Sequence, residues 1–289
     1  MDQALNEQLR QKLTPGAGLL MPGAANALAA RIIEEAGFEA LLVTGAGLAN
    51  TYLGVPDLGL TTVNELFDHV IAIREAVAIP IIADIDTGFG NALNLYRTVR
   101  LLERAGANAL QLEDQVFPKR CGHFDGKSIV PKSEMVQKIK AAVDARRGNI
   151  LILARTDARA IEGLDRALDR AAAYAEAGAD LLFVEAPQSI EELAAIPKAV
   201  PGRHICNIVF GGKTPMLPRE ELAKMGYGGI LYANAALQAA MLAMRNVLQH
   251  LHAKGSLAGA EDRVIGFADR QAMVDFARYQ ELEQRFTGA

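Results

Sequence analysis

Arg104-Ala-Gly106-Ala-Asn-Ala-Leu110 carries the chain from the end of a helical pattern into an apolar run. Three further stretches do the same: Glu35-Ala-Gly37-Phe-Glu-Ala-Leu-Leu-Val43, Glu176-Ala-Gly178-Ala-Asp-Leu-Leu-Phe-Val184 and Lys224-Met-Gly226-Tyr-Gly-Gly-Ile-Leu231. In each, the glycine falls where a helix C-cap needs a left-handed residue before the chain enters a strand. The repeating unit is therefore helix then strand. Working outward, apolar runs of strand length fall at 18–22, 40–44, 79–86, 109–114, 150–156, 181–186, 204–209 and 229–233. Helical patterns at 24–36, 63–76, 92–105, 133–146, 162–177, 219–225 and 235–253 lie between or after them. Strands of near-continuous Ile, Leu, Val and Ala alternating with helices imply a parallel sheet covered on both faces. Eight units match a (β/α)8 TIM-type barrel, an α/β fold of about 250 residues, and no dinucleotide fingerprint opens the chain as in a doubly wound sheet. The expected organisation is one barrel domain over 1–289, with 254–289 as a C-terminal helical extension whose last helix lies near 267–286. Phe, Tyr and Met on that extension suit packing on a neighbouring subunit.

Hydrophobic residues make up 51% and charged residues 22% of the 289, with a formal net charge of −4. These values are ordinary for a globular protein with a sizeable core. A pI near 5.8, the lack of a basic run and 6% aromatics give no electrostatic footprint for nucleic acid or an anionic membrane surface. The expected partner is a small molecule. No apolar run approaches the roughly 20 residues that span a bilayer, and the start Met1-Asp-Gln-Ala-Leu-Asn-Glu-Gln-Leu-Arg10 is polar and helix-like, with no secretory apolar region. Two cysteines, Cys121 and Cys206, then read as free thiols in a cytoplasmic protein.

Active sites of such barrels lie at the C-terminal ends of the strands. The polar residues there are Thr44, Gly45, Asp84, Asp86, Glu113, Asp114, Arg155, Asp157, Glu185 and Asn207. Asp84 and Asp86 are two apart on one expected strand, so their side chains leave on one face, and Glu113 ends the next. Three carboxylates at one mouth repel at neutral pH unless a cation sits among them, and oxygen donors with waters favour Mg²⁺ or Mn²⁺. The plainer alternatives are a cap on the helix starting near Asn91 or an ion pair with a barrel arginine. Asp114 points the other way and reads as structural. Arg155 and Glu185 each end an apolar strand, where an arginine suits a substrate carboxylate, a pair with Glu185, or both.

After the fourth strand comes Lys119-Arg-Cys-Gly-His123. A loop thiol beside Lys119, Arg120 and His123 is in an electropositive setting that lowers a cysteine pKa from about 8.5 and suits it to give a proton or act as thiolate. Cys206, within His204-Ile-Cys-Asn-Ile-Val209, reads as core, and His69, His250 and His252 as surface or packing residues. Val43-Thr-Gly-Ala-Gly47 offers backbone N–H groups to an anion.

Lys119-Arg-Cys-Gly-His123 resembles the signature loop of the isocitrate lyase and phosphoenolpyruvate mutase superfamily. Gly54-Val-Pro-Asp57, Asp84-Ile-Asp86-Thr-Gly-Phe-Gly-Asn91, Glu113-Asp-Gln-Val116, Ala154-Arg-Thr-Asp157-Ala158 and Gly211-Gly-Lys-Thr-Pro215 resemble its other motifs, in the family's order. The resemblance covers roughly residues 10 to 285. It implies a barrel whose eighth helix is exchanged between subunits, in a homotetramer built as a dimer of dimers. It also implies Mg²⁺ held by Asp84, with Asp86 and Glu113 partly through water. Thr44, Gly45, Ala46, Asp57, Gly122, Arg155, Glu185 and Asn207 would surround the substrate, and the Cys121 loop would close over it as a lid.

Members with this loop cleave a carbon–carbon bond of a 2-hydroxy di- or tricarboxylate, of the 2,3-dimethylmalate or methylisocitrate type. The implied chemistry is an enolate stabilised at Mg²⁺ and protonated by Cys121. Where methylisocitrate lyases have an arginine near the start of the last barrel helix, this chain reads Tyr232-Ala-Asn-Ala-Ala-Leu-Gln238, with Arg270 as a more distant cation. A neutral glutamine cannot replace that charge, which favours a substituted malate. Gly211-Gly-Lys-Thr-Pro215 also resembles the dimethylmalate lyase and carboxyphosphonoenolpyruvate mutase form. The competing expectations are phosphonomutase chemistry, oxaloacetate hydrolysis or decarboxylation, and a barrel without catalysis.

Overall fold

The computed structural model describes residues 3–122, 124 and 126–287. Eight parallel strands close into a barrel in chain order: β1 (Leu19–Ala24), β2 (Leu41–Val43), β3 (Ile81–Asp84), β4 (Ala109–Glu113), β5 (Leu151–Thr156), β6 (Leu181–Val184), β7 (His204–Asn207) and β8 (Tyr227–Tyr232). The β1–β8 pairing that closes it runs from Leu19 opposite Gly229 to Pro22 opposite Tyr232. The chain has the α/β TIM-type fold expected from its repeats.

Local sequence explains where the elements stop. The Val63–Ala76 helix opens on a capping box between Thr62 and Glu65, and the Ala92–Ala105 helix on one between Asn91 and Asn94. Asn91, and not Asp84 or Asp86, is thus the cap of that helix. Gly106 and Gly226 end their helices in the left-handed conformation, with φ of 97° and 112°. Ile190–Ala199 adds a helix beyond those read from periodicity, and it carries Pro197 inside its last turn.

Two layers of apolar packing result. Inside the barrel, Met21, Leu42, Ile82, Leu153, Phe183, Ile205 and Leu231 meet Leu9 and Leu13. The N-terminal helix Gln3–Lys12 thus plugs the end opposite the strand C-termini, where Asn6 bonds Asn108 and Asn149. Between sheet and helices, a larger cluster includes Val43, Leu66, Val70, Leu110, Met135 and Ile152. Cys206 lies in a third cluster, 1% exposed. Burial pushes its thiol well above the ordinary range, as expected of a core residue.

The Ala235–Lys254 helix behaves differently. None of its residues is buried, and Met241, Leu242, Met244 and Leu248 are exposed. The extension beyond it forms two helices, Phe267–Met273 and Phe276–Thr287, parted at Asp275, whose φ is +60°. Among the described residues no helix is long and apolar enough to cross a membrane.

Candidate active site

Strand register assembles the mouth. Asp84 lies opposite Gln111, Glu113 opposite Arg155, Arg155 opposite Phe183, and Asn207 opposite Leu231. These ends open on a small, polar-lined pocket. Thr44, Ala46, Asp57, Asp84, Lys119, Cys121, Gly122, Arg155, Glu185 and Asn207 all line it, together with Gln111, Phe183 and Asn234. The thiol and the carboxylates therefore share one cavity.

On one side, Asp86 leaves the strand that was expected to run to 86. The strand ends at Asp84, and Asp86 takes a left-handed φ of +49°, with its N–H donating to Asp84 Oδ1 at 3.2 Å. Simple alternation is therefore not what unites the two side chains. This turn brings Asp86 Oδ1 and Asp84 Oδ2 to 3.2 and 3.3 Å from the point a Cβ on Gly45 would occupy, so only glycine leaves that space open. Lys119, 3% exposed, reaches Asp57 Oδ1 at 2.5 Å and Asp86 Oδ1 at 2.9 Å. Burial would lower the Lys119 ammonium, but Asp86, Glu113, Asp57 and Asp84 more than offset it and hold its pKa well above the usual range. Burial, with repulsion from Asp84 and Asp57, pushes Asp86 up to about 7 against the attraction of Lys119.

On the other side, Arg155 stacks over the Phe183 ring at 5.5 Å. Its Nε and Nη2 donate to the two Asp157 oxygens at 2.9 and 3.1 Å. Nη1 lies 3.2 Å from Glu113, and Nη2 lies 3.8 Å from Glu185. Burial raises Glu113 well above the carboxylate range despite Arg155. Burial would also raise Asp157, but Arg155 and Lys127 hold it below. Asp114 faces away from the pocket as expected, accepting from Thr156 Oγ1 and Tyr174 Oη, each at 2.7 Å, and from the Asp157 N–H at 2.9 Å.

The Cys121 loop lies across this mouth. Cys121 N–H donates to the Asp57 carbonyl at 3.2 Å, and a Cβ on Gly122 would fall 2.1 Å from Glu185 Oε1. The electropositive setting read around the thiol is altered in three dimensions. Lys119 points to the carboxylates, Arg120 is exposed and outside the pocket lining, and His123 lies outside the described residues. Lys127, Gln111 and Phe183 are additions to the expected set: Lys127 reaches Asp157 across 30 residues of chain, and Phe183 lies under Arg155 from the next strand, so neither contact carries a local signal. Gln238 is exposed and donates to the Phe210 carbonyl at 3.2 Å, while Arg270 stacks on Phe267 in the extension, away from the pocket.

The donor set suits a divalent cation. Six carboxylates, Asp57, Asp84, Asp86, Glu113, Asp157 and Glu185, face three cations, Lys119, Lys127 and Arg155. The buried Glu113 Oε1 and Gln111 Oε1 have no hydrogen-bond partner. Among the described residues no three side chains of His, Cys, Asp or Glu are already gathered as a chelate. Only Asp84 of the three expected ligands lines the pocket, with Asp86 and Glu113 behind it at 5% and 1% exposure. That arrangement fits one direct ligand and two held through water, as Mg²⁺ commonly is.

Residues 9–252 match the model of the phosphoenolpyruvate phosphomutase family. The chain is 43% identical over 280 residues to a 2,3-dimethylmalate lyase of Eubacterium barkeri, covering 96% of this chain and 97% of that one. It is 42% identical over 267 residues to a 2-methylisocitrate lyase of Aeropyrum pernix, covering 92% and 85%. Among solved structures, a phosphonopyruvate hydrolase complexed with oxalate and Mg²⁺ superposes with a TM-score of 0.87 at 31% identity, covering 98% of this chain and 99% of that one. The chain belongs to the phosphoenolpyruvate phosphomutase family and is an enzyme, a carbon–carbon lyase, of the isocitrate lyase/PEP mutase superfamily.

Proposed function

We propose that the chain is a Mg²⁺-dependent lyase that cleaves a substituted malate of the 2,3-dimethylmalate type to a keto acid and a carboxylate, with Cys121 as proton donor. The observation that carries this reading is that Cys121 lines the same pocket as Asp84, Arg155 and Glu185. When bound, Mg²⁺ supplies the positive charge that stabilises an enolate. Asp84 would hold it directly, with Asp86 and Glu113 through water. The substrate's 2-hydroxyl proton leaves to a pocket carboxylate, and the new C=O forms as the C–C bond breaks. The electron pair left on the departing fragment then takes the proton of the Cys121 thiol. Arg155 keeps Glu113, Asp157 and Glu185 in place around this reaction.

A dicarboxylate is favoured because Lys119 and Arg155 are the cations lining the pocket, and both already pair with carboxylates. The relative named 2,3-dimethylmalate lyase also supports it. We further read the protein as cytoplasmic, and the lack of a disulfide at Cys121 and Cys206 supports this. We read it as a homotetramer in which the Ala235–Lys254 helix, whose residues are all unburied, packs on another subunit. The test is turnover of 2,3-dimethylmalate, 2-methylisocitrate, 2-methylmalate and oxaloacetate with Mg²⁺ and with chelator. Cleavage of a malate only with metal supports the proposal. Preference for the tricarboxylate, or metal-independent turnover, contradicts it.

A further inference from the structure

Besides Lys119, the lid contains one more buried ammonium, which the proposed chemistry does not use. Lys127 follows the Cys121 turn, before the Gln115–Ile129 bridge closes the loop's root. Its ammonium is directed inward. The side chain is 2% exposed, and Nζ donates to Asp157 Oδ1 at 2.7 Å and to the Gly122 carbonyl. One ammonium thus ties the lid to itself, beside Cys121, and to the barrel wall.

The wall end of this tie is rigid. Asp157 is buried, its N–H is bonded to Asp114, and Asp114 is braced by Thr156, Tyr174 and Arg170. Asp157 also takes the Arg155 fork. With the lid raised, the carboxylates gathered around Arg155, namely Glu113, Asp157 and Glu185, would lose the Lys127 charge. Seating the lid brings the ammonium into this deficit, where a charge-assisted bond in a low dielectric is stronger than one in water. Gly122, which has no room for a Cβ against Glu185 and Arg155, lets the backbone come that close.

We propose that Lys127 is the latch of the lid, a positioning residue that pairs with Asp157 and the Gly122 carbonyl and so holds Cys121 over the pocket. The use made of Cys121 rests on the lyase reading, but the latch itself does not. It is tested without turnover, by the rate at which iodoacetamide alkylates Cys121 in the full chain, read by mass spectrometry with the buried Cys206 as internal control. Lys127→Met is expected to speed Cys121 alkylation about ten-fold or more with Cys206 unlabelled, and Lys127→Arg to restore most of the protection. Should Lys127→Met also expose Cys206, Lys127→Gln, which keeps a donor and removes the charge, is read by the same criterion. An unchanged Cys121 rate in a folded variant lacking the charge overturns the latch, whichever acid the enzyme cleaves. Failure of every acid to turn over would sink the lyase reading and leave this result standing.

Discussion

Adding one methyl group to the lid gives a sharp prediction. A Cβ on Gly122 would lie 2.1 Å from Glu185 Oε1 and 2.4 Å from Arg155 Nη2, against 3.4 Å at the near edge of ordinary contact. Neither neighbour can retreat cheaply. Glu185 is 1% exposed, and Arg155 is fixed by both oxygens of Asp157 and by Glu113. The lid must therefore lift by the shortfall of about 1.3 Å, and Cys121, one residue away, moves with it. Misplacing a reacting group by about 1 Å costs on the order of 10²-fold in rate, or ~2.7 kcal/mol of transition-state stabilisation. Gly122→Ala is expected to lower kcat/KM by that factor. Its urea-unfolding free energy should move by less than ~0.5 kcal/mol, because the loop lies outside the apolar clusters. Steady-state kinetics alongside denaturation decide it. A variant within three-fold (roughly 0.6 kcal/mol) of the parent would show that the lid does not seat on Glu185 and Arg155 during turnover.

Three other outcomes follow from the geometry. Gly45→Ala, whose Cβ would sit 3.2 and 3.3 Å from Asp86 Oδ1 and Asp84 Oδ2, should weaken Mg²⁺ binding in calorimetry by about ten-fold or more; unchanged affinity would place the metal elsewhere. Burial holds the His204 imidazole below its ordinary range, so the folded state favours the neutral ring. Its contribution to stability is complete above about pH 6.5 and is lost as pH falls toward the lower folded value, so the decline in urea midpoint below about pH 6.5 should be shallower in His204→Leu. Replacing the exposed Met241 and Met244 by Asp should reduce the mass seen by light scattering, whereas an unchanged oligomer would show that this face is not an interface.

The barrel was legible because its signals are local. Gly106 and Gly226 mark helix ends, and β3 and β6 are nearly unbroken apolar runs. The Ile190–Ala199 helix was less so, since Pro197 sits within it. Site residues at strand ends were legible because topology converges them, and Asp84, Glu113, Arg155, Glu185 and Asn207 do meet at one mouth. Directions beyond a strand end were not. Asp86 joins Asp84 through a left-handed turn, Arg120 faces solvent although its neighbours Lys119 and Cys121 face the pocket, and Lys127 returns to Asp157 across 30 residues of chain. Such contacts are set by tertiary closure, which leaves no periodic trace in the sequence.

The central claim is that the Cys121 thiol protonates the fragment released by C–C cleavage. Its most direct test compares the parent with Cys121→Ser, at saturating Mg²⁺, on whichever malate the parent cleaves best. The account predicts a loss of about 10²-fold or more in kcat, since a serine hydroxyl is a far weaker acid at neutral pH, with Mg²⁺ affinity unchanged. A variant that keeps the parental rate, or a pair of proteins that cleave no acid while both rearrange a phosphonate, would contradict it.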